Sequence, residues 1–214
     1  MAAALPAWAR TVDGLVLPVP VGGHPALDFC NTEAAWRTAH PHEYLHEHRH
    51  LVVWAAAYGL VPHAEVGRLG ALATREPAAA RGVLDRALAF RDALHEVLVG
   101  SHGSWDLVNA EVGVAAAHLR LAAVRAGGGA GAAGMAGWEL VVPDGVDRLG
   151  LPLYAAAWSA AGLLTTVGAV GVRACPGRGC GWLFHDPRGR RRWCSMSWCG
   201  NRAKARRHAA ARHS

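Results

Sequence analysis

Four cysteines lie within the last 40 residues of the chain, with the spacing Cys175-x4-Cys180-x13-Cys194-x4-Cys199. Each short-spaced pair can bend round and present two thiolates, and two such pairs can bind one tetrahedral zinc ion. Because four thiolates leave no position open for water, the pattern predicts a single structural zinc ion and not a catalytic one. The metal would replace a hydrophobic core that about 40 residues cannot form, so zinc binding and folding of this segment would be one event.

The residues between the cysteines predict how the segment folds around the ion. Pro176 and the glycines that follow it suit a tight knuckle, and Trp182-Leu183-Phe184 suits a short strand that leaves the knuckle. Pro187-Arg188-Gly189 turns the chain, and Ser195 is placed to cap the helix that follows. A knuckle, a hairpin and a helix that meet at one ion form a treble-clef-like finger, which we predict for residues 171–214.

The segment with the four cysteines is also the most basic part of the chain. From Arg173 onward it holds 11 of the 22 Lys and Arg residues against one acid, Asp186, whereas the preceding residues hold 11 basic and 15 acidic side chains. A basic block beside a mildly acidic body predicts a polyanionic partner for this segment alone. The predicted nucleic-acid contacts lie on the turn before Cys194 and on the helix after Cys199. They are Arg190, Arg191, Arg192, Arg202, Lys204, Arg206 and Arg207.

The remainder of the chain is predicted to form a mostly helical domain over residues 1–170, because 214 residues with 52% hydrophobic content can bury a sizeable core. Asp13-Gly14 predicts a hairpin within residues 11–21, since Asp-Gly is typical of a two-residue turn between strands. Hydrophobic period, with proline or glycine at the ends, predicts five helices. They span residues 43–58, 63–73, 78–99, 105–124 and 153–167.

Two short segments complete this prediction of secondary structure. Residues 138–142 suit a strand, and the uncharged glycine- and alanine-rich residues 127–137 suit a flexible connection. The fold class predicted for the whole chain is therefore mainly α with small β elements (α+β), formed by a helical N-terminal domain and a C-terminal four-cysteine zinc finger.

Cysteine usage and hydropathy predict the compartment. Cys30 is isolated, and the clustering of the other four cysteines suits metal binding in a reducing compartment better than a secreted disulfide scaffold. No apolar run approaches the length that spans a membrane, and residues 1–10 lack the basic and apolar regions of a signal peptide. The sequence predicts a cytoplasmic protein with no membrane partner.

The cysteine segment resembles a known family, the CGNR zinc finger, which is named for its final tetrad. The resemblance lies in the run Cys175…Cys180-Gly181-Trp182-Leu183-Phe184…Asp186…Arg191-Arg192-Trp193-Cys194-Ser195-Met196…Cys199-Gly200-Asn201-Arg202. In that family the finger follows a predominantly helical ABATE domain, which this chain resembles at Leu27-Asp28-Phe29-Cys30-Asn31-Thr32-Glu33 and around Trp54-Ala55. The resemblance implies a stress-induced bacterial transcription regulator.

A competing motif raises the alternative of a zinc metallopeptidase. His46-Glu47-His48-Arg49-His50 is an H-E-x-x-H pattern, which on a helix places two histidines beside a general base. The helical period, however, puts His46 and His50 opposite the apolar face that carries Leu51 and Ala55, and no third ligand follows. We therefore predict no enzymatic activity, and binding of a second metal by the histidines of residues 40–50 stays open.

The N-terminal domain offers one candidate ligand site, formed by Asp28, Asn31 and Trp54, where polar groups lie beside apolar ones. The alternative is structural, with Asp28 and Asn31 satisfying backbone groups and capping the following helix. We predict a one-component regulator in which this domain senses a small-molecule effector or mediates homodimer formation and the finger binds DNA. An RNA-binding protein with the same finger is the alternative, because arginine and zinc do not distinguish duplex DNA from structured RNA.

Overall fold

The computed structural model describes residues 5–101, 104–123, 136–167 and 170–212. Within these ranges seven α-helices follow one another along the chain. They are α1 (Pro25–Cys30), α2 (His48–Ala57), α3 (Glu65–Arg75), α4 (Pro77–Leu98), α5 (Trp105–Ala117), α6 (Leu151–Gly162) and α7 (Asn201–Ala211). None of the helices in these ranges has both the length and the apolar composition that a membrane span requires.

The strands of the described ranges form four separate two-stranded antiparallel sheets. The pairs are β1 (Ala9–Val12) with β2 (Leu15–Pro18), β3 (Glu33–Ala34) with β4 (His42–Glu43), β5 (Leu119–Ala123) with β6 (Ala136–Leu140), and β7 (Val172–Ala174) with β8 (Leu183–His185). A 3-10 turn precedes α6, and π-helical turns follow α6 and precede α7; they span Val146–Gly150, Leu163–Val167 and Met196–Gly200. The prediction of a mainly α protein with small β elements is confirmed.

The main hydrophobic core surrounds α6. This helix is apolar on nearly every side, which is typical of a central helix, and it packs against α1, α2, α4 and α5. Aromatic rings fill the space between α1, α2 and α4: the ring of Phe29 lies 5.0 Å from that of Trp54 and 5.9 Å from that of Phe90. The core therefore joins segments that are far apart in the sequence.

Two predicted helices end or begin at a different place, and β-pairing is the reason in both cases. The helix predicted for residues 105–124 ends at Ala117, because β5 pairs with β6 in the register Leu121↔Trp138. The helix predicted for residues 43–58 begins only at His48, because Glu43 belongs to β4. Most of the flexible connection predicted for residues 127–137 lies outside the described residues, and its last two residues belong to β6.

A buried arginine on α4 holds the β3–β4 hairpin. Arg91 is only 2% exposed, and its Nη1 donates to both carboxylate oxygens of Glu43, at 2.8 and 2.7 Å, while its Nη2 donates to Glu33 Oε2 at 2.9 Å. Glu33 and Glu43 are direct partners across the hairpin, where two like charges would repel each other. The guanidinium compensates that repulsion and fixes the hairpin next to the zinc finger.

The zinc finger is hydrogen-bonded to the helical region along the outer edge of β8, which is the edge that does not pair with β7. The Leu183 N–H donates to Asn31 Oδ1 at 2.7 Å, and Asn31 Nδ2 donates to the Leu183 carbonyl at 2.9 Å. Next along the same edge, the His185 N–H donates to the Gly22 carbonyl at 2.8 Å. Leu183 is fully buried in the main core. Other buried residues of the finger, including Trp182 and Phe184, form a second cluster with Tyr44. The division at residues 170 and 171 stays a prediction.

Candidate metal centre and basic surface

The four cysteines of the finger come together at one point. Their Sγ atoms all lie within 4.8 Å of one another, and Cys194 Sγ lies 3.6 Å from the sulfurs of both Cys180 and Cys199. Four sulfurs at about 2.3 Å from a zinc ion form a tetrahedron whose edges are about 3.8 Å long. The two Sγ–Sγ distances of 3.6 Å are close to this edge length, so each of these sulfur pairs can bind the same zinc ion. All four thiols are buried and free of disulfides. Within the described ranges no other cluster of three or more His, Cys, Asp or Glu side chains has this geometry.

A tight knuckle presents the first pair of cysteines. The Cys175 N–H donates to the Trp182 carbonyl, and the Cys180 N–H donates to the Gly177 carbonyl, both at 2.8 Å. A Cβ at Gly177 would lie 3.0 Å from Cys199 Sγ and 3.4 Å from Cys175 Sγ. The knuckle therefore favours glycine here, because a side chain would crowd Cys199, one of the four cysteines of the cluster.

The second pair lies at the beginning of the C-terminal helix. Cys199 belongs to the π-helical turn that leads into α7, and the Ser195 hydroxyl accepts a hydrogen bond from the Ser197 N–H at 3.2 Å, which confirms the predicted cap. The Cys194 N–H donates to Cys175 Sγ at 3.4 Å. The four cysteines are thus positioned to bind one metal ion, which would fix α7 against the knuckle. The assignment of Cys175, Cys180, Cys194 and Cys199 as the ligands of a structural zinc ion stays a prediction.

Two of the arginines predicted to contact nucleic acid, Arg191 and Arg202, also make contacts within the protein, and their contact with nucleic acid stays a prediction. Arg202 Nη2 donates to Cys199 Sγ at 3.2 Å, and this hydrogen bond raises the pKa of the guanidinium. Its charge offsets the net negative charge of four thiolates around Zn²⁺. Arg191 Nη2 donates to the carbonyls of Val21 and Cys194, at 3.0 and 2.6 Å, and its guanidinium lies 4.6 Å from the ring centre of Phe184. Arg191 therefore ties the finger to the segment after β2.

Five other arginines form an exposed basic surface, which we define as Arg173, Arg190, Arg192, Arg206 and Arg207. One cleft, of about 460 Å³, is lined by residues of β7 and of the turn after Asp186, including Arg173 and Arg190. A second cleft, of about 310 Å³, lies between Arg192 and α7 and is lined by Arg206 and Arg207. Arg192 lines both clefts, which makes the surface continuous.

The only acidic residue of the finger does not oppose this charge at the clefts. Asp186 is buried, and its two carboxylate oxygens accept hydrogen bonds from the backbone N–H groups of Arg190 and Arg191, at 3.0 and 2.8 Å. The carboxylate thereby fixes the turn that presents Arg190 and Arg192. Sequence reasoning missed Arg173 as part of the surface, although its place next to Cys175 on a strand that leads into the knuckle was a usable signal. Lys204 is exposed on α7 and lines neither cleft.

The three residues predicted to bind a ligand are all buried, and two of them satisfy backbone groups. Asp28 Oδ1 accepts from the N–H groups of Val21 and Gly22, at 2.9 and 2.8 Å, and burial raises the pKa of Asp28. Asn31 holds β8, and Trp54 packs in the main core. These hydrogen bonds confirm the part of the structural alternative in which Asp28 and Asn31 satisfy backbone groups. Neither residue caps the following helix, because Asp28 lies inside α1, Asn31 lies at its C-terminal end, and α2 begins only after Glu47. Ligand binding by the three residues stays a prediction.

The H-E-x-x-H pattern does not lie on one helix. Glu47 is the extended residue before α2, and His46 precedes it, so the helical spacing on which the metallopeptidase alternative depends is not formed. His48 is buried and its Nε2 lies 2.8 Å from the Leu149 carbonyl. The rings of His46 and His50 lie edge to face at 5.3 Å.

Four buried cysteines with the geometry of a structural zinc site, packed against a helical region, define a zinc-finger protein with a mainly helical N-terminal part. Two family models match the chain: the CGNR zinc finger over residues 172–212, and ABATE, described as "Putative stress-induced transcription regulator", over residues 23–167. The chain belongs to the ABATE family and carries a CGNR zinc finger. A search of curated proteins and a search of solved structures each give no match.

Proposed function

We propose that the protein is a one-component transcription regulator that binds duplex DNA through the basic surface of its zinc finger. The single observation that carries the proposal is a continuous surface of exposed arginines on a metal-anchored support, with no acidic residue lining either of its clefts. Guanidinium groups bind phosphates in a bidentate way, and a rigid support avoids the entropy of ordering a mobile basic tail on DNA. The family description supports a regulator.

The shape of α7 suits close approach of a phosphate backbone. Ala203 and Ala210 lie in the same cleft as Arg206 and Arg207, so small side chains flank the two arginines along this face of the helix. Arg192, on the turn before Cys194, lines the same cleft, and its guanidinium lies 5.2 Å from the ring centre of Trp193. A strand of nucleic acid that follows the cleft would then meet arginines of both the turn and α7. Lys204, farther round α7, adds to the field of the finger.

The N-terminal part would regulate the finger through its contacts with β8. Because Asn31 and Gly22 bind the edge of β8 directly, a change in the packing of α1 would alter how the finger is presented. A small-molecule effector or formation of a homodimer could each cause such a change, and a dimer would read two half-sites. We place this regulator in the cytoplasm, where its DNA target is accessible.

Salt-dependent binding tests the proposal most sharply. Fluorescence anisotropy with duplex DNA and with RNA of equal length, at several salt concentrations, gives the affinity and the slope of its logarithm against salt. Arg206→Gln and Arg207→Gln should each weaken DNA binding and reduce that slope by about one unit, because each removes one phosphate contact. Arg75→Gln, an exposed arginine on α3, is the control of equal charge change and should leave the slope unaltered.

Two results would contradict the proposal. Equal slopes for wild type, Arg206→Gln and Arg207→Gln would show that the nucleic acid contacts another surface. Tighter binding of the RNA than of the duplex at the same salt would favour the RNA-binding alternative.

A further inference from the structure

A cavity of about 450 Å³ lies where the β1–β2 hairpin meets the zinc finger, and we call it the junction cavity. The hairpin contributes Trp8 and Val16, the segment at β4 contributes Tyr44, and the finger contributes Trp182, Trp198 and Arg202. None of the residues of the basic surface lines it. The hairpin lies outside the residues that either family model matches, so this cavity combines a feature of this chain with the finger.

Three tryptophans and a tyrosine line the junction cavity, together with small apolar side chains such as those of Ala9 and Ala34. Trp182 and Trp198 stand edge to face, with ring centres 6.2 Å apart, and the rings of Trp8 and Tyr44 also line the cavity. Trp182 Nε1 already donates to the Glu33 carbonyl at 2.9 Å, so this indole offers the cavity its apolar ring. A volume of about 450 Å³ with walls of this kind is within the range that holds a small organic ligand. Flat rings favour a flat, aromatic ligand.

The charge of the junction cavity selects among aromatic ligands. Among the described residues its lining includes no aspartate or glutamate, and the guanidinium of Arg202 lies at its wall. The lining also includes Cys180, one of the four cysteines of the metal centre. Arg202 donates one hydrogen bond, from Nη2 to Cys199 Sγ, and its other N–H groups have no hydrogen-bond partner among the described residues. An aromatic cage with an adjacent guanidinium repels an ammonium ligand, because both groups are cations. A carboxylate can instead accept the free N–H groups of Arg202.

We propose that the junction cavity binds a planar aromatic carboxylic acid, with its rings among the tryptophans and its carboxylate on Arg202. The proposal deepens the sensing role given above, because such a ligand would contact the hairpin and the first turn of α7 at once. Binding would tighten the contact between the hairpin and the finger and thereby alter the presentation of the basic surface. Ligand binding itself does not depend on DNA binding, so the two proposals can fail separately.

Isothermal titration of the zinc-loaded full-length protein with 2-naphthoate tests the site, with uncharged 2-naphthamide as the matched ligand. Wild type should bind the acid at least about tenfold more tightly than the amide, because a charge-assisted hydrogen bond is lost in the amide. Val16→Trp should weaken binding of the acid about tenfold or more, since the indole fills the cavity from an exposed position on β2. Val141→Trp, at an exposed valine outside the cavity, is the matched control and should bind as wild type does.

A third variant tests the role of the guanidinium. Arg202→Gln should bring the affinities for acid and amide close together, and its zinc content, measured in the same sample, shows whether the finger is intact. If Arg202→Gln loses zinc, Trp8→Ala replaces it, because Trp8 lies outside the metal centre; this variant should weaken acid and amide alike.

Three results would overturn the proposal. One is absence of heat with millimolar 2-naphthoate, and another is equal affinity of Val16→Trp and wild type. The third is a pair of observations: duplex DNA displaces 2-naphthoate from wild type, and Val16→Trp abolishes DNA binding. Together they would show that the cavity holds a base of the nucleic acid and not a free ligand. Unaltered 2-naphthoate binding in a protein that fails to bind DNA would support the ligand site and contradict only the proposed function.

Discussion

Replacement of Asn31 by alanine should break the connection between the helical core and the zinc finger. The carboxamide of Asn31 is fully buried, and it is the hydrogen-bond partner of both the N–H and the carbonyl of Leu183, at 2.7 and 2.9 Å. Alanine would leave two buried backbone groups without partners, and each such group costs about 1–3 kcal/mol. After partial relaxation of β8 we expect Asn31→Ala to reduce the free energy of unfolding by about 3 kcal/mol.

Urea unfolding followed by circular dichroism and tryptophan fluorescence, in the presence of excess zinc, measures this loss. Asn109→Ala, an exposed asparagine on α5, is the matched control and should change stability by less than about 0.5 kcal/mol. Asn31→Asp gives a stricter test, because aspartate has a side chain of the same size as asparagine and keeps an oxygen that can accept from the Leu183 N–H. Its second oxygen would face the Leu183 carbonyl and the carboxylate of Asp28, so it should destabilise the protein at least as much as alanine does. Losses below about 0.5 kcal/mol in both variants would refute the account of how the finger docks.

Two further predictions concern the contact between the finger and α4. Gly181→Ala should destabilise the protein by about 2 kcal/mol or more, because Gly181 has φ +70° and a Cβ there would lie 2.6 Å from the Trp36 Cβ. Thermal unfolding measures this loss of stability. The control is Gly67→Ala, at a helical position with open space, which should be neutral or stabilising. Burial lowers the pKa of His95 to about 4 from the ordinary 6.5, so the unfolded chain binds a proton first as the pH falls. The free energy of unfolding should therefore be at its full value above pH 6.5 and decline by about 3 kcal/mol as the pH falls to 4. His95→Gln, which can still donate to the Gly181 carbonyl, should remove that part of the pH dependence. If the free energy of unfolding of wild type and variant changes with pH in parallel, the assignment to His95 is contradicted.

The features that the sequence predicted correctly depend on short stretches of chain. The spacing of Cys175, Cys180, Cys194 and Cys199 predicted the metal centre, because a knuckle and the first turn of a helix are local structures. Helix α4 was predicted for residues 78–99 and spans Pro77–Leu98, since proline at its start and glycine after its end act over a few residues. The Asp13-Gly14 turn likewise predicted the β1–β2 hairpin.

The features that the sequence did not predict depend on partners far along the chain. The strand β5 replaces the end of a predicted helix because its partner, β6, begins only at Ala136, and intrinsic propensity is overridden by such pairing. Arg191 and Arg202 looked like surface arginines among the others, but one contacts Val21 and the other a metal ligand. The contact of Asn31 with Leu183 joins positions 152 residues apart. No local pattern carries that information.

The metal content of the intact protein tests the central claim most directly, because the zinc ion positions both α7 and the basic surface. Native mass spectrometry of protein purified under reducing conditions should find one zinc ion per chain in wild type and none in Cys194→Ser. Wild-type protein without zinc, or a Cys194→Ser variant that keeps a full equivalent, would contradict the account.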